Sequence, residues 1–86
     1  MKKDLKQVDE REKLPFEEWD VRPGDFVTWS DNCFKVRRII EETRVLINDL
    51  VYKIVDFVDE EGVFRCWNQY RNGGTIVKGE ELNGAL

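Results

Sequence analysis

The feature that most constrains the fold is a pair of short apolar segments separated by a polar turn. Residues 51–58 and 63–68 are rich in β-branched and aromatic side chains, and the acidic turn 59–62 ends in glycine. Two such segments around a glycine-containing turn predict a β-hairpin. If the four turn residues stay unpaired, apolar residues face apolar residues across the hairpin and Asp56 faces Arg65. The sequence therefore predicts a small β protein.

This register predicts a hairpin with two apolar faces, of which a chain this short can hardly bury both. The face expected to lie in the core holds Val55, Phe57, Phe64 and Cys66, and the second face holds Ile54, Val58, Val63 and Trp67. Either residues 14–19 cover the second face, or it is open to a partner. In the second case an aromatic and cationic surface is the candidate partner-binding site, formed by Arg65, Trp67, Tyr70, Arg71 and Arg37.

Turn signals divide the rest of the chain into further short strands. The predicted strands are residues 26–29, residues 34–40 with a bulge, residues 44–47 after it, and residues 75–77 at the end. Asn48 and Asp49 predict a tight turn, because both residue types tolerate a positive φ. Residues 36–58 also fit helical spacing. Their β-branched content, and the three acidic residues that would end such a helix, favour strands.

Length and charge predict one small domain with an N-terminal arm. The chain has 86 residues and a net charge of −4, so no overall basic character points to nucleic acid. Residues 1–20 form the predicted arm and residues 21–86 the domain. Within the arm, residues 14–19 carry Phe16 and Trp19 as contact residues. They form either a strap over one open end of the domain or a linear motif that docks on a partner.

The residue types needed for chemistry are scarce. The sequence has no histidine, which is the commonest general base near neutral pH and the commonest metal ligand. Cys33 and Cys66 have no neighbouring Cys or His, so we expect reduced thiols, with a bridge between them as the alternative. We expect no catalytic residues, no metal, no cofactor and no small-molecule substrate. We also expect no membrane segment and a cytoplasmic location, since residues 1–13 are charged throughout.

The order of turns and strands resembles that of the SH3-like small barrels, which include KOW and Tudor modules and short bacterial and phage proteins. The residues that carry the resemblance are 23–27, 63–67 and 73–77 together with Leu82. The chain departs from the KOW pattern, because no glycine lies between Gly24 and Gly62. The resemblance implies an all-β barrel of five to six antiparallel strands. It also implies binding of peptides or nucleic acid rather than catalysis.

Two functions follow as hypotheses. The first is a non-catalytic protein-binding adaptor or inhibitor of the kind that phages or mobile elements encode, present as a monomer or weak dimer. The second is binding of single-stranded nucleic acid. There Trp67 and Tyr70 would stack on bases, and Arg37, Arg38, Arg65 and Arg71 would follow the backbone. The acidic residues of the same domain oppose the second hypothesis.

Overall fold

The computed structural model describes residues 10–79 as one antiparallel sheet of five strands. The strand order is β4-β3-β2-β1-β5, and the sheet is open, with β4 and β5 at its two edges. The all-β expectation is confirmed. The strands are β1 (Phe26–Trp29), β2 (Asn32–Ile47), β3 (Leu50–Asp59), β4 (Phe64–Asn68) and β5 (Thr75–Val77). The same part of the chain also forms a short helix, α1 (Gln69–Asn72), and two 3₁₀ turns, Glu10–Lys13 and Phe16–Glu18.

One long strand, β2, replaces the second and third strands that the sequence predicts. Its register with β3 shifts between Val36 and Arg38 and again between Ile39 and Glu41. The predicted bulge is therefore present, as two irregularities close together. Each inserts one residue that has no partner on β3, and such insertions bend a strand. The bend lets the first four residues of β2 pair with β1 and the remainder pair with β3. The helical alternative for this region is wrong.

The connection between β2 and β3 has the predicted turn. Asn48 and Asp49 have φ values of 54° and 67°, and Ile47 pairs directly with Leu50. Two consecutive residues with positive φ form the two-residue turn whose twist matches that of the flanking strands. The side-chain types at these two positions were therefore enough to predict both the turn and the end of the hairpin.

The register between β3 and β4 differs by one residue from the predicted one. Val58 pairs with Phe64 and Val55 with Trp67, so Asp56 faces Cys66 instead of Arg65. The reason lies in the turn. Asp59 remains in β3, and its carboxylate accepts the backbone N–H groups of Glu61 and Val63, both at 2.9 Å. The backbone N–H of Asp59 also donates to the carbonyl of Val63 at 2.9 Å, so these two residues pair and only residues 60–62, three rather than four, lie between them. A slip of one residue exchanges the two faces of a strand.

Within residues 10–79 the core consists of seven buried apolar side chains, among which Trp67 and Phe57 are the largest: Val21, Val27, Val36, Val55, Phe57, Trp67 and Ile76. The predicted core residues Val55 and Phe57 are confirmed. Phe64 and Cys66 were expected beside them but are exposed, because the shifted register turns them outward. Trp67 takes their place in the core and donates its indole N–H to the carbonyl of Gly73 at 2.8 Å. Its one polar group is thus satisfied inside.

The segment before β1 packs on the core face of the sheet. The rings of Phe16 and Trp19 contact each other edge to face at 4.8 Å between centroids, and both pack against the core residues. This packing agrees with the strap interpretation of residues 14–19. The strap does not cover the second face of the hairpin, however, since its contacts are with Lys53 and other residues of the core face.

Candidate interaction surface

The predicted partner-binding residues do not form one surface. Trp67 is fully buried, so the expectation that it is exposed for binding is wrong. Arg65 lies on the same face of β4 as Trp67, because it pairs with the core residue Phe57. Tyr70 lies on the opposite side, with its ring 5.1 Å from that of Tyr52. The shift of one residue in the hairpin register therefore divides the predicted site.

The charge of Arg65 is already engaged within the domain. Its Nε donates to Oδ2 of Asp59 at 2.9 Å, and its guanidinium lies 4.1 Å from the ring centroid of Phe34. Asp59 is buried, and the N–H of Val63 together with Arg65 holds the pKa of its carboxyl below the ordinary value. Of the other predicted residues, Arg37, Arg71 and Tyr70 are exposed.

A different part of the molecule exposes apolar side chains. The pairing of β3 with β4 ends at Ile54, and the pairing of β2 with β1 ends at Lys35. Residues 45–51, here named the hairpin tip, therefore have no neighbouring strand beyond their own hairpin. Leu46 is 69% exposed and Leu50 59%. An isolated two-stranded ribbon is marginally stable in water, and exposed leucines add nothing to its stability.

The hairpin tip also forms one wall of a groove of about 590 Å³, here named the tip groove. The 3₁₀ turn Phe16–Glu18 of the strap lies on its other side. The lining residues are Glu17, Glu18, Arg44, Val45, Leu46 and Val51. The tip groove thus combines an apolar wall from the hairpin with carboxylates from the strap.

A buried lysine holds the strap beside the tip groove. Lys53 is fully buried, and its Nζ donates to the carbonyl of Trp19 at 2.8 Å and that of Glu17 at 3.4 Å. Nζ also lies 3.5 Å from Oε2 of Glu42 and 5.2 Å from the ring centroid of Phe16. Burial lowers the pKa of Lys53, the charge of Arg44 lowers it further, and Glu42 opposes both. These contacts fix the backbone of the strap.

Glu42 completes this connection from the side of β2. Its Oε1 accepts the backbone N–H of Val21 at 3.0 Å. Its buried Oε2 accepts no hydrogen bond within residues 10–79 and faces only the cations of Lys53 and, at 4.0 Å, Arg44. The charges of the two cations therefore stabilise this carboxylate.

Both cysteines that the sequence offers as nucleophiles lie in the described part of the chain. Cys33 and Cys66 are both free thiols, as expected. The hydrogen bond of Cys66 to the carboxylate of Asp56 raises the pKa of this thiol, with smaller contributions from burial and charge. This disfavours the nucleophilic thiolate. Between residues 10 and 79, no three Cys, Asp or Glu side chains lie together in a way that could hold a metal ion. No helix in this part of the chain is both long and apolar enough to cross a membrane.

Comparison with protein-family models, with curated proteins and with solved structures finds no match for this chain.

Sequence reasoning missed the hairpin tip, although a signal for it exists. Apolar residues lie on both sides of the Asn48-Asp49 turn, and no later segment is long enough to cover them as well as the sheet. The position of Glu17 and Glu18 beside the tip groove had no such signal, because it depends on how the strap packs beside β2 and β3.

Proposed function

We propose that this protein is a non-catalytic binding module that recognises another protein through its hairpin tip. One observation carries the proposal: Leu46 and Leu50 are exposed on a ribbon that no other strand of the described domain flanks. The two leucines lie on opposite faces of the ribbon, since Leu46 pairs with Val51 and Leu50 with Ile47. Covering either one contributes about 1.5–3 kcal/mol, so a partner that encloses the tip and covers both gains substantial affinity.

We also propose that the domain is related to the SH3-like small barrels. Support comes from five antiparallel strands, of which β2 is long and bent, with a helical turn before the last strand. The sheet is open, and this supports only a partial likeness. The relationship favours binding over catalysis, since binding of peptides or nucleic acid is what the resemblance implies.

The alternative, binding of single-stranded nucleic acid, has less support. Trp67 is buried, which leaves Tyr70 as the only exposed ring of the two proposed for stacking. Arg65 is paired with Asp59. A chain with a net charge of −4 attracts a polyanion only where its cations gather on one face, and the four proposed arginines do not all share one.

The experiment compares two matched double variants in binding to a captured partner. Leu46→Gln with Leu50→Gln changes the hairpin tip, and Ile40→Gln with Val63→Gln makes the same kind of change at exposed positions elsewhere. A partner isolated by affinity capture is purified and titrated against each variant by calorimetry. We expect the tip variant to bind at least about tenfold more weakly and the control variant to bind like the wild type.

Both double variants should unfold at nearly the wild-type denaturant concentration, because all four side chains are exposed. Full affinity in the tip variant would refute the proposed surface. If Tyr70→Ala and Arg71→Ala lost binding instead, the binding site would be the one that the sequence analysis predicted.

A further inference from the structure

The tip groove has a charge that its own residues do not balance. Glu17 and Glu18 are exposed, and within residues 10–79 neither side chain has an ion pair or a hydrogen-bond partner. Arg44 is the one cation among the lining residues. Its guanidinium donates to the carbonyl of Trp19 at 3.0 Å and lies within 4.0 Å of carboxylate oxygens of Asp20 and Glu42. The charge that remains available to a ligand is therefore negative.

The apolar part of the tip groove lies opposite these carboxylates. Leu46 and Val51 pair across the hairpin, so their side chains lie on the same face of the ribbon. A ligand that fits both walls needs apolar side chains toward the hairpin and cations toward the strap. An acidic segment would meet two like charges, and a purely apolar one would leave both carboxylates without partners while partly desolvating them.

The carboxylates stand on a backbone that is already held in place. Lys53 bonds the carbonyls of Glu17 and Trp19, on either side of Glu18, and Trp19 is packed against the core. Little ordering of the strap is needed when a ligand binds, and such preorganisation favours affinity.

We propose that the tip groove binds a short partner segment in which leucine-like side chains alternate with lysines or arginines. The inference rests on the proposed function and names the chemistry of the partner. The apolar side chains cover Leu46 and Val51, and the cations pair with Glu17 and Glu18. An extended segment presents alternate residues to opposite walls, which is the arrangement that this groove requires.

The experiment titrates the full chain with three capped peptides: GSKLKLSG, GSELELSG and GSKSKSSG. Binding is followed by tryptophan fluorescence, since Trp19 directly follows Glu18, and by backbone amide resonances of the hairpin tip. We expect the lysine–leucine peptide to bind at least about fivefold more tightly than the glutamate–leucine peptide at low salt. The preference should shrink at high salt, and the peptide without leucine should not shift the amides of Leu46 and Val51.

A matched pair of variants tests the carboxylates. Glu17→Gln with Glu18→Gln should abolish the preference for the lysine peptide. Glu60→Gln with Glu61→Gln neutralises a second exposed acidic pair, in the β3–β4 turn, and should leave the preference unchanged.

Three outcomes would overturn the inference. Equal affinities for the lysine and glutamate peptides would overturn the inference about the groove. If the leucine variants of the tip still lost the captured partner, the proposed function would stand nevertheless. Dimerisation that Leu46→Gln abolishes, seen by ultracentrifugation without peptide binding, would identify a second copy as the occupant. Amide shifts at the tip caused by Lys2→Gln with Lys3→Gln, again without peptide binding, would identify the chain's own N-terminal segment.

Discussion

The two ends of β3 differ in which side chains they bury: an apolar residue is exposed at one end and a charged residue is buried at the other. At its beginning the apolar Leu50 is 59% exposed, whereas at its end the charged Asp59 is 3% exposed, and Lys53 between them is fully buried. The difference follows from what lies over each position. Strap, turn and neighbouring strand surround Lys53 and Asp59 with hydrogen-bond partners, whereas within residues 10–79 no third strand flanks the hairpin tip. Whether a side chain of β3 is buried depends on which segments pack over it. The residue type determines only which hydrogen-bond or ion-pair partners the buried side chain then needs.

The largest effect is expected at the covered part of the sheet. Trp67→Ala removes the largest fully buried side chain and should lower the free energy of unfolding by about 3–5 kcal/mol. Denaturant unfolding followed by circular dichroism measures this, with Tyr70→Ala as a control that should cost far less. A Trp67→Ala protein with wild-type stability would contradict the assignment of this residue to the core.

A smaller effect is expected from the buried charge between strap and sheet. Lys53→Met removes the bonds to two strap carbonyls and leaves the Oε2 atom of Glu42 buried beside only Arg44. We expect a loss of about 1–3 kcal/mol in denaturant unfolding. Part of this loss should be recovered when Glu42→Gln is added, because the uncompensated charge is then removed. Strict additivity of the two substitutions would show that the two side chains do not interact.

The smallest effect is expected at the other end of β3 and depends on pH. The folded pKa of Asp59 lies below its unfolded value of 3.8, because its carboxylate accepts the N–H of Val63 and the bond from Arg65. The unfolded state therefore binds this proton first as the pH falls, and the stabilisation present above pH 3.8 is lost as the pH falls through the folded pKa. Asp59→Asn has no carboxylate to protonate at this position. Its stability, measured by thermal unfolding between pH 6 and pH 2, should therefore fall less steeply with decreasing pH than that of the wild type. Parallel acid profiles for the two proteins would contradict it.

The sequence was sufficient to predict the turn before β3 and the core residues of β3, but not which face of the neighbouring strand β4 is buried. Alternation was sufficient to place Val55 and Phe57 in the core, and Asn48-Asp49 was sufficient to place the turn. The face of β4 could not be predicted, because it depends on whether the loop has three or four residues. That length is decided by two hydrogen bonds of the Asp59 side chain. A difference of one residue moved Trp67 from the expected binding surface into the core.

The candidate site was less predictable than the fold, for a related reason. The sequence indicates which residues prefer to be buried, but it does not indicate where the strap ends or how far the hairpin extends beyond its neighbours. Leu46 is exposed because β4 and β1 are shorter than β2 and β3, and the relative lengths of paired strands are a property of the whole sheet. Glu17 and Glu18 become groove residues through the contacts of Lys53 with the strap backbone and the packing of Phe16 and Trp19 on the core.

The hydrogen bonds of the Asp25 carboxylate affect how the domain resists a pulling force. It accepts two bonds from the guanidinium of Arg11, at 2.5 and 3.0 Å, and one from the backbone N–H of Gly79 at 3.2 Å. Residues near the two ends of the described chain thus meet at one side chain. A force that pulls these ends apart, such as traction by an unfolding motor, acts on this junction before it reaches the sheet. The strap and residues 78–79, which follow β5, would detach first, while the hairpin that carries the tip would be the last part of the domain to bear the force.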